Sequence, residues 1–322
     1  MSIKEEIVKI LKRRKHVSGE ELSKKLKLSR TAIWKQIKNL RKEGYDIKGT
    51  PKIGYTIIST PNQPLPAEIK SEIRTKIIGR KVFYFKEVES TQEVAKTLAN
   101  AGLEEGTIII AEKQTKGRGR AGREWFSPKG GLWLSIILKP NIPTPKIQRL
   151  TLLAGVAVAK TLRKLYKLDA KLKWPNDVLV EGKKVCGILI EASGNADKVN
   201  YAIVGVGINV NVRFTDKKEL SSTATSILEL LGEEVSIVKL TVKLLEEFEK
   251  LYLEFKQGEF SKIIGEWRKL SQTLGKKVRV ESYGESFTGE ALDVDEDGFL
   301  LVKVKDGSIA RIVAGDIYLR ET

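Results

Sequence analysis

The chain has 322 residues, 58 Lys and Arg against 41 Asp and Glu, a formal net charge of +17, one Cys and one His. At about 100–200 residues per domain this length predicts two or three domains. The hydrophobic fraction of 41% and charged fraction of 31% describe a globular chain and exclude wholesale disorder. Cys186 has no second Cys to bridge to, and Cys186 with His16 cannot complete a four-ligand zinc site. The single His sits in a basic N-terminal run, which excludes serine- and cysteine-protease triads. No run approaches the ~18 apolar residues of a membrane span. The start Met1-Ser2-Ile3-Lys4-Glu5-Glu6 has no secretory core, so a cytoplasmic location is expected.

Charge is unevenly placed. Residues 1–66 carry 16 Lys/Arg and 6 Asp/Glu, residues 67–270 carry 35 and 25, and residues 271–322 carry 7 and 10. In the first segment Ile3, Ile7, Ile10 and Leu11 fall at helical spacing. Ser18 with Glu21 has the form of a capping box opening a second helix, and Ser29 can cap a third with Ile33, Ile37 and Leu40 inside. Two helices separated by three residues read as a helix-turn-helix. Off the apolar stripe the third helix shows Arg30, Thr31, Lys35, Gln36, Lys38, Asn39, Arg41 and Lys42, groups that bond phosphates and base edges. No acidic residue lies between Arg30 and Arg41, which favours DNA over a protein partner. Residues 46–58 alternate apolar and polar around Gly49 and Gly54, as a β-hairpin wing would. Residues 1–60 are therefore expected to be a winged helix-turn-helix. Three prolines fall within residues 61–66, and 61–70 reads as a linker.

Residues 71–270 mix strands and helices. Strands are expected at 82–85, 107–111, 132–138, 179–180, 185–191 and 202–210, and helices at 91–101, 148–166, 225–231, 239–256 and 260–270. The sharpest local feature is GRGRAGR at 117–123. It satisfies G-x-G-x-x-G, yet the segment EWFSPKGG at 124–131 cannot be a helix, and after Glu124 the next acid is Asp169. A dinucleotide fingerprint is thereby rejected, and the P-loop pattern is absent. Glycines that let backbone approach a ligand, beside guanidinium forks, make an anion clamp. KWPND at 173–177 supplies a further cation in Lys173, and Asn176 and Asp177 suit a metal or an amine. Gly205 and Gly207 interrupt an apolar strand ending in Asn209 and Asn211, a sign of close approach by a ligand or another backbone.

Ser90-Thr91, Gln114, GRGRAGR with Trp125-Phe126-Ser127, KWPND, KKVCGILIE at 183–191 and GVGINVN at 205–211 resemble biotin–protein ligases in order and spacing. With the winged helix, the whole chain resembles the bifunctional ligase–repressor members of that family. The resemblance implies ATP-dependent formation of biotinyl-5′-adenylate, then transfer of biotin to a lysine of a biotin carboxyl carrier domain. It implies ATP and biotin as substrates with Mg²⁺, operator DNA as a partner, the adenylate as corepressor, a homodimer and no membrane association. Lys184, Arg118 and Asp177 are the expected catalytic residues. Ser90, Thr91, Gln92, Gln114, Arg118, Trp125, Lys184 and Gly187 are expected around biotin. Gly117, Arg118, Gly119, Arg120, Arg123, Asn176, Gly207 and Asn209 are expected around ATP and the adenylate. Gln92 stands where the family usually has Asn, and Ala224 stands where some bifunctional members carry a Trp against adenine; Phe214 is the aromatic residue of that second loop.

Residues 271–322 alternate in short runs with Asp297-Gly298 and Asp306-Gly307 as hairpin turns. The expected architecture is α+β: winged helix, mixed α/β ligase domain, and a small SH3-like β-barrel. A regulator that only senses biotin and a lipoate ligase are the alternatives.

Overall fold

The computed structural model describes residues 2–215, 217–282 and 285–319. It forms two compact units, Met1–Arg74 with Ser236–Val242, and Thr75–Val235 with Lys243–Thr322.

In the first unit α1 (Ile3–Arg13), α2 (Gly19–Leu26) and α3 (Arg30–Lys42) pack around Ile7, Leu22, Ile33, Ile37 and Leu40, all fully buried. Ser29 caps α3 as its spacing predicts. Ser18 accepts from the Glu21 amide, but the reciprocal half of that capping box is not made; the Glu21 carboxylate pairs with Arg14 instead. The complete box is at Ser2 and Glu5, in α1. The wing is β1 (Asp46–Thr50) antiparallel to β2 (Gly54–Ser59). Gly54 has φ +110°, and a Cβ there would lie 2.3 Å from the Val17 carbonyl oxygen, so only Gly fits. The expected 61–70 linker is partly helical: Pro66 sits in the first turn of α4 (Pro66–Glu72), where its missing N–H costs no hydrogen bond. Lys12 of α1 bonds Glu68 at 2.6 Å, which draws α4 onto the winged helix.

The second unit is built on a seven-stranded sheet. Its elements run β3 (Val82–Val88), α5 (Thr91–Asn100), β4 (Ile108–Gln114), β5 (Leu132–Leu138), α6 (Gln148–Tyr166), β6 (Lys171–Lys173), β7 (Asp177–Val180), β8 (Lys183–Gly194) and β9 (Val199–Ile208). Next come α7 (Lys218–Ser221), α8 (Ile227–Leu231), α9 (Ile237–Lys256), whose first residues belong to the other unit, and α10 (Phe260–Leu270). The strand order is β3-β4-β5-β9-β8-β7-β6, parallel only between β3 and β4. Alternation along the strands divides the sheet into two faces. Ile203 of β9 and Ile137 of β5 pack with Ala95 and Ala99 of α5 on one face. Ile188 of β8 lies under Gly155 of α6 on the other, where twelve residues of α6 are buried. Such an all-round apolar helix belongs in a core. Among the described residues no helix is long and apolar enough to cross a membrane.

The last five strands, β10 (Lys277–Ser282), β11 (Glu285–Val294), β12 (Leu300–Val304), β13 (Ile309–Ile312) and β14 (Asp316–Leu319), form an antiparallel sheet in the order β13-β12-β11-β10-β14. Among the described residues no ladder joins β13 to β14, so hydrogen bonding does not close the expected barrel and the sheet is open. Gly298 and Gly307 have φ near +87° and +88°, as the two turn signals require. This sheet is tied to the larger one by the indole N–H of Trp174, which donates to the Gly298 carbonyl at 3.1 Å, and by Arg149, 3.0 Å from Asp297.

Glu249 of α9 carries no motif. Its buried carboxylate accepts the backbone N–H groups of Lys76, Ile77 and Ile78 at 2.5–2.7 Å. Removing the acceptor would strand three donors, so Glu249→Ala is expected to lower the unfolding free energy by about 3 kcal/mol. Urea unfolding monitored by circular dichroism checks this, with Glu249→Gln expected to cost less.

Candidate functional site

Register sets the floor of the site. Trp133 of β5 faces Gly207 of β9, Gly207 faces Gly187 of β8, and Gly187 faces Asp177 of β7, so one cross-strand row presents Trp, Gly, Gly and Asp on the α5 face. The next row is Ser135, Gly205 and Leu189. A Cβ on Gly207 would lie 2.5 Å from Trp125 Nε1, one on Gly187 3.0 Å from the same ring, and one on Gly205 3.0 Å from the Gln92 amide. The glycines therefore act as a flat floor on which Trp125 and Gln92 rest. Above it is a cavity of about 510 Å³, within the range of about 300–1,000 Å³ typical of small-molecule sites.

One end of the cavity is a neutral polar chain. Ser90 caps α5 and is buried with Thr91 and Gln92. Ser135 Oγ lies 2.8 Å from Thr91 Oγ1 and 2.9 Å from Gln92 Oε1, within bonding distance of both. The Thr91 N–H donates to Gln114 Oε1 at 2.8 Å, and Gln114 Nε2 reaches Ser127 Oγ at 2.9 Å. Trp125 lies between this end and the cations, with its indole N–H buried and without a hydrogen-bond acceptor among the described residues.

The other end is charged. Five cations (Arg118, Arg120, Arg123, Lys173, Lys184) and three carboxylates (Glu124, Asp177, Asp316) line the cavity, an excess that suits an anionic ligand. Lys184 Nζ is 2.6 Å from Asp177 Oδ1 and 4.9 Å from the centre of the Trp125 ring. Burial lowers the pKa of Lys173, with Asp177 opposing it as the largest favourable charge. Lys173 has no ion-pair partner among the described residues. Burial also lowers Arg120, against the pull of Asp316, but a guanidinium stays charged.

The GRGRAGR loop contains a single 3₁₀ turn at Arg120–Gly122, in which Ala121 takes φ 53°. Gly117 packs against Trp125 O and Ser127 Oγ, and Gly119 N donates to Arg123 O at 2.7 Å. Arg118 pairs with Glu93 and, at 3.3 Å, with Glu191. Arg120 donates twice to the Gly315 carbonyl at 3.2 Å, and Arg123 is 2.8 Å from Asp316. Asn176 lies 3.4 Å from Arg120 through Oδ1 and donates to Ile188 O at 2.8 Å. Asn209 spends its amide on the carbonyls of Thr225 (3.0 Å) and Lys184 (3.4 Å), bracing the strand start that carries Lys184. Phe214 is buried against Trp133 and Val212, near Phe126.

Every cavity residue expected from the sequence except Gly117 lines this one space, and Gly117 stands immediately behind it. Sequence reasoning missed Asp316, Ile317 and Tyr318, which reach the cavity from β14, and Glu93 and Glu191, which hold Arg118. No local motif marks them, because they come from elements distant in sequence or from ordinary amphipathic positions. Cys186 is fully buried, and burial pushes its thiol pKa up, so it is an inert core residue.

Comparison with known proteins decides the family. The chain is 39% identical over 305 residues to the bifunctional ligase/repressor BirA of Bacillus subtilis, covering 94% of both chains. It belongs to the biotin–protein ligases. The biotin/lipoate A/B protein ligase family profile matches residues 84–209, an HTH domain profile 4–56, and a biotin protein ligase C-terminal domain profile 273–320. BirA of Escherichia coli is 32% identical, covering 94% of this chain and 92% of its own length. Among solved structures, a biotin protein ligase from Aquifex aeolicus in complex with biotin and ATP is similar, with 33% identity and a TM-score of 0.66. It covers 76% of this chain and 100% of its own.

The helix-turn-helix of this family member presents Arg30, Thr31, Lys35, Lys38 and Asn39 of α3 to solvent, while Gln36 is half-buried. Arg41 is turned back, donating to the Ile47 carbonyl at 2.6 and 2.9 Å, so it braces the wing. Trp34, which no sequence signal marks, is 49% exposed with Lys38 Nζ 5.3 Å over its ring.

Gly207→Ala is expected to displace Trp125 and weaken biotin binding at least ~10-fold, with the far-ultraviolet circular dichroism unchanged. Calorimetric titration with biotin measures it.

Proposed function

We propose that the chain activates biotin with ATP to biotinyl-5′-AMP and transfers biotin to a lysine of a carrier domain, and that it represses transcription in response to biotin. The observation that carries the enzymatic reading is the single cavity that runs from a neutral polar end, across a glycine floor, to five cations. Family membership supplies the substrate class.

In this reading Ser90, Thr91, Gln92 and Gln114 offer donors and acceptors to the ureido ring, and Gly187, Gly207 and Trp125 shape the apolar slot. Two anions must meet when the biotin carboxylate attacks the α-phosphorus and pyrophosphate leaves. Lys184 stands to neutralise both, with Arg118 on the biotin carboxylate, Arg120, Arg123 and Lys173 on the phosphates and Gly119, Asn176 and Asn209 bordering the nucleotide. Asp177, already 2.6 Å from one ammonium, is placed to accept a hydrogen bond from the carrier lysine as its amine attacks the acyl carbon and AMP departs. Mg²⁺ enters as part of the substrate, Mg·ATP. Water must be excluded from the mixed anhydride, and the arginine loop with its ties to β14 is the cover. The domain divisions at 60, 70 and 270, and an SH3-like fold for the last five strands, belong to the same reading. The helix-turn-helix match supports the division at 60, and the C-terminal match and short antiparallel strands support the division at 270 and the SH3-like fold.

Lys184→Ala is expected to lower the rate of biotin-dependent pyrophosphate release by ~10³-fold or more without unfolding the chain. Incubation with ATP, Mg²⁺, biotin and a biotin carrier domain, followed by intact mass, tests the whole reaction. A carrier that gains no mass would refute it.

For DNA, α3 is the reading helix and β1–β2 the wing, used by a homodimer on a two-part operator. Lys38→Ala is expected to weaken binding uniformly across sequences and reduce the slope of log K against log salt by about 1. Fluorescence anisotropy over a salt series measures this, and repeating it with and without biotin and ATP tests the biotin response.

A further inference from the structure

Arg118 is held by two carboxylates that differ in how firmly they are themselves held. Glu93 lies in the first turn of α5 with its side chain 48% exposed, and Arg118 is its carboxylate's one partner among the described residues. Glu191, in β8, is less exposed and has both oxygens engaged. Oε1 faces Arg118 at 3.3 Å, and Oε2 accepts from Gln92 Nε2 at 3.1 Å. Gln92 is 4% exposed, rests on Gly205 and accepts from Ser135, so Glu191 is tied to the polar end of the cavity. A polar relay thus runs from Ser135 through Gln92 and Glu191 to Arg118, while Trp125 at the far end of the same loop is linked through Ser127 to Gln114 and Thr91.

A guanidinium fork paired with two carboxylates leaves no positive charge for a third, so an arriving carboxylate must displace one of them. The exposed pair is worth little and has nothing else to hold it; the Glu191 pair is fixed by its second bond. We infer that Glu93 is an exchangeable stand-in for the substrate carboxylate on Arg118, whereas Glu191 is a positioning residue that keeps Arg118 aimed into the cavity. Arg118 carries the specificity for a carboxylate, and the two glutamates act on it with opposite sign. Gln92 contributes by reach: its longer side chain spans from Ser135 to Glu191. This inference rests on the assignment of Arg118 to the biotin carboxylate under the proposed function.

The experiment is steady-state pyrophosphate release by the full chain, with biotin varied at saturating Mg·ATP, for Glu93→Gln, Glu191→Gln, Glu191→Asp and Arg118→Lys. Thermal midpoints confirm that each variant is folded. Glu93→Gln is expected to lower the biotin KM about two- to five-fold, with kcat moving less than KM. Glu191→Gln is expected to raise KM about ten-fold, with Glu191→Asp recovering part of the loss. Shifts of the two glutamine variants in the same direction, or no shift in either, overturn the exchange. An unchanged biotin KM in Arg118→Lys overturns the underlying assignment of Arg118 as well, whatever the glutamates do.

Discussion

Gly187 and Gly207 face each other across β8 and β9, and the site depends on the absence of side chains there. A side chain on either would collide with Trp125, and through it the placement of Lys184 would be lost, since its ammonium lies over the same ring. The floor also explains why a central pair of strands tolerates glycine. The opposite face of the same strands carries Cys186, Ile188, Val206 and Ile208, all buried, and supplies the cohesion that the glycines give up.

Crowding of positive charge is the second constraint. Five cations around one cavity repel each other, and each arginine of the loop is answered from a different quarter of the unit. Arg118 meets Glu93 and Glu191, Arg120 meets the Gly315 carbonyl, and Arg123 meets Asp316. Lys184 has Asp177, while Lys173, partly buried, has its pKa lowered by that burial. Such ties hold the basic loop in place. Because most are exposed and individually weak, an anionic ligand can replace them at small cost.

Much of the fold is legible because its strongest signals are periodic. The apolar stripes of α3 and α5, the helix α6, the strands of the central sheet other than β6 and the glycine turns of the last five strands lie close to where the sequence pattern puts them. Residues 61–70 are expected to carry no helix, yet one starts at Pro66, because a proline that cannot continue a helix can still begin one. Spacing puts the capping box at Ser18, yet it forms at Ser2, since nearby Arg14 competes for Glu21. The expectation of a closed barrel rests on short alternating runs, two Asp-Gly turns and the family resemblance, none of which reports a pairing between the first and last strands. Closure requires a ladder between first and last strands, which the described residues do not make.

The sequence by itself determined which chemistry was available: a lone Cys and a lone His removed thiol and imidazole catalysis, and clustered Gly, Arg, Lys and Asn left anion binding. It also determined the family, since GRGRAGR and KWPND occur together in order. Only the tertiary structure decided that Gly187, Gly207, Trp133 and Asp177 share one cross-strand row, because register is set by pairing between distant segments. It likewise decided that Asp316 and Glu191 meet the arginine loop. Their partners lie about 70 and 190 residues away along the chain, and nothing in local pattern reports a contact made by folding at such separations.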